Sequence, residues 1–167
     1  GVGGAFVAAV LEPYRFRRLQ GFLDPWADPA NTGYQTVQSL VGVASGGITG
    51  VGLGASRAKW GFLPEAHTDF IYAIIAEELG LIGALTVLAL FVLLGYFGYR
   101  AAMRAPDTFG LLLAGGIATW FVAQAVVNLG AVVGLLPITG VPLPFVSYGG
   151  TSLVVNLVAM GVLLSVA

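Results

Sequence analysis

The chain has 167 residues, 57% of them hydrophobic and only 9% charged, with a formal net charge of −1 and a mean hydropathy of +0.92. A soluble domain carries about 25% charged residues, so this composition excludes one and reads as a membrane protein; the near-neutral charge gives no reason to expect a nucleic-acid partner. There is no cysteine, which removes disulfide frameworks and Cys-based metal sites.

Residues 1–11, GVGGAFVAAVL, lack an initiator Met and a charged leader. They are neither a signal peptide nor a full span, which needs about 20 residues. They read as the end of a helix, and the chain as the C-terminal part of a longer protein. Residues 12–33 hold Arg15, Arg17 and Arg18 beside aromatics, and Asp-Pro occurs twice, at Asp24-Pro25 and Asp28-Pro29. Asp-Pro favours turns, so this is surface loop or short interfacial helix. Two roles are open to the arginines: snorkelling to lipid headgroups, or holding a phosphate group with their planar forks.

Residues 34–54 carry no charge but many glycines. Val37, Leu40, Val41 and Ala44 follow helical spacing on one face, with Gln35, Gln38, Ser39 and Ser45 elsewhere, and Gly46-Gly47 ends the helix. The reading is a short interfacial or re-entrant helix followed by a glycine-rich turn. GITGVGLG lacks the Lys-Ser/Thr ending of a P-loop, so it is no nucleotide site.

Polar chemistry concentrates in residues 59–80, KWGFLPEAHTDFIYAIIAEELG, which hold the single histidine, His67, and four of the eight acidic residues, Glu65, Asp69, Glu77 and Glu78. Ionisable groups at the mouth of an apolar span mark a functional-site candidate. If Pro64 opens a helix, Glu65 and Asp69 fall at i and i+4 on one face; if the segment is extended, Glu65, His67 and Asp69 alternate onto one side. Both conformations converge the same side chains, and repulsion between the carboxylates makes one a candidate base. The bland alternative is a solvated acidic helix start favoured by the macrodipole. Glu77 and Glu78 read as caps or anchors of the span that follows.

Residues 79–100 form the first complete span, closed by Arg100 and Arg104, and residues 108–128 the second, with Gln124 and Asn128 near its far end facing neighbouring helices. Residues 129–150, with Pro137, Pro142 and Pro144, cannot be helical throughout and read as an apolar loop that caps a cavity. Residues 151–167 begin a third span. The arginines at the short 101–107 connection place it in the cytoplasm. Residues 12–78 then lie outside as one long loop, beyond the roughly 60-residue reach of the positive-inside rule. Its basic residues there suit an anionic substrate.

Five ordered blocks, FLDPWADP (22–29), GYQTVQSL (33–40), SGGITGVGLG (45–54), LPEAHTDFIYAIIAEELG (63–80) and LLPITGVPLPFVSYGGTSL (135–153), resemble the signatures of the SEDS family of FtsW, RodA and SpoVE cell-wall polymerases. GLGASRAKWGFLPEAH is nearer the FtsW type. The resemblance covers nearly the whole chain. It implies an all-α polytopic membrane fold of about ten helices, of which this chain holds the last four or so: residues 1–11 the end of a helix, 12–78 an extracytoplasmic loop with short helices, 79–100 a span, 108–128 a span, 129–150 a second extracytoplasmic loop and 151–167 a span. The family is multi-pass in the bacterial inner membrane and acts in cell-wall synthesis and division.

What the resemblance implies for chemistry is polymerisation of lipid II, an undecaprenyl-pyrophosphate-linked disaccharide-pentapeptide, beside a class B penicillin-binding transpeptidase. The family's catalytic Asp matches Asp69. Arg15, Arg17, Arg18 and Lys59 become candidates for the pyrophosphate, Glu65 and His67 for tuning Asp69, and Ser147 with Tyr148 for walling the lipid groove. No cofactor is required by this reading; a divalent cation, Mg or Mn, is a candidate. Two alternatives use the same surfaces: a lipid II flippase, and a noncatalytic scaffold that recruits the transpeptidase.

Overall fold

The computed structural model describes residues 22, 24–29, 31, 33–56 and 69–167. Those residues form four helices and no strand: α1 (Tyr34–Ser45), α2 (Ile71–Arg104), α3 (Thr108–Val132) and α4 (Gly150–Val166). The helices α2 and α3 are long and apolar enough to cross a membrane. They form an antiparallel hairpin turned at Ala105-Pro106-Asp107, where the Asp107 carboxylate caps α3 by accepting from the Gly110 N–H at 3.3 Å.

The α2–α3 seam is built from small residues, as expected where lipid removes any hydrophobic drive to associate. A methyl group on Gly98 would sit 2.8 Å from the Ala118 Cβ, and one on Gly95 2.8 Å from Val122. The Tyr99 and Thr119 hydroxyls meet across the seam at 2.9 Å. Leu81, Ile82, Leu85, Leu90, Val92 and Phe97 point outward. The C-terminal part of helix α4 packs near the turn of the hairpin, where Leu163 joins Ala102 and Ala114.

The expected span 79–100 lies inside α2, which starts earlier and breaks. Gly80 has φ 66° and ψ −161°, a region only glycine populates. The Tyr72 hydroxyl donates to the Ala84 carbonyl at 3.2 Å. In a straight helix residues twelve apart are about 18 Å apart along the axis, beyond any tyrosine. Residues 71–79 therefore lie at a steep angle to residues 81–104.

The break costs the helix two bonds, since Leu81 and Ile82 lose the carbonyls of Glu77 and Glu78. The glycine turn after α1 replaces both. The Glu77 and Glu78 carbonyls accept from the Val51 and Gly52 N–H groups at 3.0 and 3.1 Å, and the Leu81 and Ile82 N–H groups donate to the Gly47 and Ile48 carbonyls at 2.9 and 3.3 Å. Non-helical backbone in a membrane survives only where it is re-satisfied in this way. The close approach demands glycine: a Cβ on Gly50 would stand 2.1 Å from the Glu78 carbonyl oxygen.

Helix α1 ends at Gly46, where the glycine pair was expected to stop it. Its buried face is not the apolar stripe. Thr36, Val37, Ser39 and Gly42 are buried, whereas Val41 and Ala44 are exposed. Ser39 faces inward because its hydroxyl reaches the free Val132 carbonyl at the end of α3 (3.1 Å), shared with the Thr36 carbonyl at 2.9 Å. Glu77 and Glu78 are likewise buried rather than anchors at a surface; the Ser56 hydroxyl donates to the Glu77 carboxylate.

Candidate functional site

Asp69 stands one residue outside α2. The N-cap position belongs to Phe70, whose ring is 1% exposed and fixed in the main core with Tyr72, Ala73 and Ile74. The burial of Phe70 thus sets where residue 69 emerges, and the half-buried Asp69 is left at the rim of a small cleft. Across it runs the 138–141 segment. The Asp69 carboxylate lies 3.4 Å from the point where a Cβ on Gly140 would be. Any residue but glycine there would touch the acid, and φ +70° at Gly140 favours glycine independently.

One side chain ties the cleft together. Asn128, 3% exposed near the end of α3, donates through Nδ2 to the Asp69 carbonyl and to the Val141 carbonyl, both at 2.8 Å. Two carbonyl acceptors fix which end of the amide faces them. The sequence marked Asn128 only as an amide facing other helices; a polar side chain this close to the end of a span was the available signal, and its acceptors were main-chain groups that no pattern displays. Asn128→Leu is expected to strand both carbonyls and to cost about 1–3 kcal/mol, read as a lower unfolding midpoint of the purified protein. Unchanged stability would mean that water replaces the amide.

The loop beyond is closed by Ser147, whose Oγ accepts from the Leu143 N–H at 2.7 Å while the Ser147 N–H donates to the Leu143 carbonyl at 3.1 Å. Leu143 and Pro144 are buried beneath it. Phe145 carries φ 64° and holds that unfavourable backbone by packing its ring on Phe121, centroids 5.0 Å apart. Tyr148 is exposed.

Of the site residues expected from sequence, Asp69 and Ser147 are described, and both border the loop that Asn128 anchors. Arg15, Arg17, Arg18, Lys59, Glu65 and His67 lie outside the described residues. Among the described residues no group of three His, Asp or Glu side chains is placed to hold a metal ion.

Known proteins agree with this architecture. A stage V sporulation protein E of Bacillus subtilis is 50% identical over 163 residues, 97% of this chain and 44% of that protein. A probable peptidoglycan glycosyltransferase FtsW of Geobacter metallireducens is 53% identical over 154 residues, 92% of this chain and 41% of that one. The chain thus spans less than half the length of these relatives. A chain of a peptidoglycan synthase complex, solved to show how polymerization and crosslinking are coordinated, superposes with TM-score 0.75 at 32% identity over 99% of this chain and 48% of its own. The rod shape determining protein RodA of Thermus thermophilus, solved as a point mutant, gives TM-score 0.58 at 36% identity, covering 70% of this chain and 36% of its own. These neighbours make the all-helical fold that of a polytopic membrane protein. With the model of the FtsW/RodA/SpoVE cell cycle proteins matching residues 2–167, the chain belongs to that family.

Proposed function

We propose that this chain is the C-terminal part of a peptidoglycan glycosyltransferase that polymerises lipid II into glycan strands in the bacterial inner membrane, with a class B penicillin-binding transpeptidase as its partner. The observation that carries the reading is the placement of Asp69: one residue outside a buried helix start, its carboxylate facing Gly140 across a cleft pinned by Asn128. In this proposal residues 12–78 and 129–150 face the extracytoplasmic side, where the substrate headgroup lies.

In the reaction a sugar 4-hydroxyl attacks the anomeric carbon of a lipid-linked sugar. The new C–O bond forms as the bond to pyrophosphate breaks, and undecaprenyl pyrophosphate leaves with that electron pair. Asp69 accepts the hydroxyl proton as general base. Glu65 and His67 orient it, and Ser147 contributes by holding the shape of the loop it closes. The charge on the leaving group is assigned to Arg15, Arg17, Arg18 and Lys59, with a divalent cation, Mg or Mn, as a further candidate.

Two measurements test this. Purified full-length protein with its transpeptidase is expected to convert lipid II into glycan strands; substrate translocation without polymer would favour a flippase, and neither activity a scaffold. Replacing Arg15, Arg17, Arg18 and Lys59 by Gln, singly and together, is expected to raise the lipid II concentration giving half-maximal rate. An unchanged value in all variants would reduce these residues to headgroup anchors.

A further inference from the structure

Asp69 and the loop opposite it share one tether. The Asp69 carbonyl lies outside the helical ladder of α2, which begins at the Phe70 carbonyl, the acceptor of the Ala73 and Ile74 N–H groups. The Asp69 carbonyl is held instead by the Asn128 amide, at 2.8 Å. Across the cleft, residues 139–142 belong to no helix. Among the described residues the one hydrogen bond they make is the bond from that same amide to the Val141 carbonyl, also 2.8 Å. Asn128 itself stands on a helix long enough to cross a membrane, 3% exposed, with Leu129 and Val132 beside it in the main core. A site is held most precisely from such an element.

The space between the two tethered walls is narrow. Gly140, next to Val141, presents bare backbone to the acid: a Cβ there would stand 3.4 Å from Asp69 Oδ2. The cavity that Asp69, Asn128, Thr139 and Gly140 share has a volume of about 10 Å³. That is room for one water-sized group, and so for one hydroxyl. An aspartate side chain is short, and its carboxylate follows its own backbone. Releasing either carbonyl therefore moves one wall relative to the other. A general base must come within about 2.6–3.2 Å of the hydroxyl it deprotonates, and a displacement of about 1 Å can cost about 10²-fold in rate.

We propose that Asn128 is a positioning residue for glycosyl transfer: its amide sets the spacing between Asp69 and Gly140, and with it whether the attacking hydroxyl enters within reach of the carboxylate. The proposal rests on Asp69 being the general base. The test uses full-length protein with its transpeptidase and purified lipid II, with rates counted per lipid II-binding site so that unfolded protein drops out. Asn128→Leu and Asn128→Asp are expected to lower kcat about 10–10²-fold at unchanged KM. Aspartate matches asparagine in shape, but it has one donor as the acid and none as the carboxylate, so it cannot hold both carbonyls. Ser39→Ala is the stability control. It strands the Val132 carbonyl one turn further along α3, and is expected to lower the melting temperature and to keep kcat. In the Asp69→Asn background, Asn128→Leu is expected to slow the residual rate no further, because a residue that acts through the base has no effect once the base is gone. Wild-type kcat in both Asn128 variants overturns the proposal. So does a rise in KM in place of the kcat loss, an equal kcat loss in Ser39→Ala, or a full second loss on top of Asp69→Asn. Those results leave Asp69 as the base, whereas a wild-type rate in the Asp69→Asn single variant removes both assignments.

Discussion

Asp69→Asn in the full-length protein is expected to lower the rate of glycan polymerisation by about 10²–10⁴-fold, the usual range for loss of a general base, while insertion, lipid II binding and transpeptidase binding persist. Asparagine keeps the shape and hydrogen-bonding capacity of aspartate but is no base. The competing account is that Asp69 merely caps α2. That account predicts near silence, because Asn caps as well as Asp. In the structure Phe70 occupies the N-cap position and Asp69 stands one residue outside. Glu65→Gln is expected to be milder. A wild-type rate in purified Asp69→Asn would end the catalytic assignment and leave the family membership intact.

Gly80→Ala is expected to be the most damaging single methyl group in α2. The added Cβ would sit 2.4 Å from the Gly50 nitrogen and 2.5 Å from the Ile48 carbonyl oxygen. It would also be forced to φ 66° and ψ −161°. Overpacking costs about 1–3 kcal/mol and the glycine-only backbone about 1–3 kcal/mol more, roughly 2–6 kcal/mol together. That is a large share of the 5–15 kcal/mol typical of a folded domain. The expected readout is a steep loss of folded protein on detergent extraction and a lower melting temperature. Gly116→Ala is the control, because a Cβ on Gly116 meets nothing within 4 Å. If the two variants melt alike, the backbone contact at Gly80 is not what holds the region.

Hydropathy and turn chemistry were enough to read the membrane class, the hairpin of spans and the end of α1 at Gly46. They were local signals with local causes. The break at Gly80 was not legible, because a lone glycine in an apolar helical run is usually tolerated. What makes this one a break is a set of main-chain partners about thirty positions upstream. Ser39 failed for the same reason: at helical spacing a serine belongs on the wet face, and only the Val132 carbonyl brought by α3 turns it inward. Glu77 looked like a surface anchor until Ser56 supplied a hydroxyl beneath it. For the candidate site, Asp69 was legible through its motif and its place before an apolar run. Asn128 was not, because its acceptors are carbonyls of residues 69 and 141.

The four main-chain bonds at the Gly80 break also decide which parts of the molecule open together. In an ordinary helix each amide is protected from solvent exchange by its own neighbours. Here the Leu81 and Ile82 amides are protected by Gly47 and Ile48, and the Val51 and Gly52 amides by Glu77 and Glu78. Residues 47–52 and 77–82 therefore form one cooperative unit, and their amides should exchange at a common rate, set by undocking of the turn rather than by fraying of α2. Residues 81–104 alone are about 36 Å long, enough to cross the bilayer. The short segment carrying Asp69 at its head is thus surplus to anchoring, and what holds it when the turn opens is Phe70 in the core and the Asn128 bond to the Asp69 carbonyl.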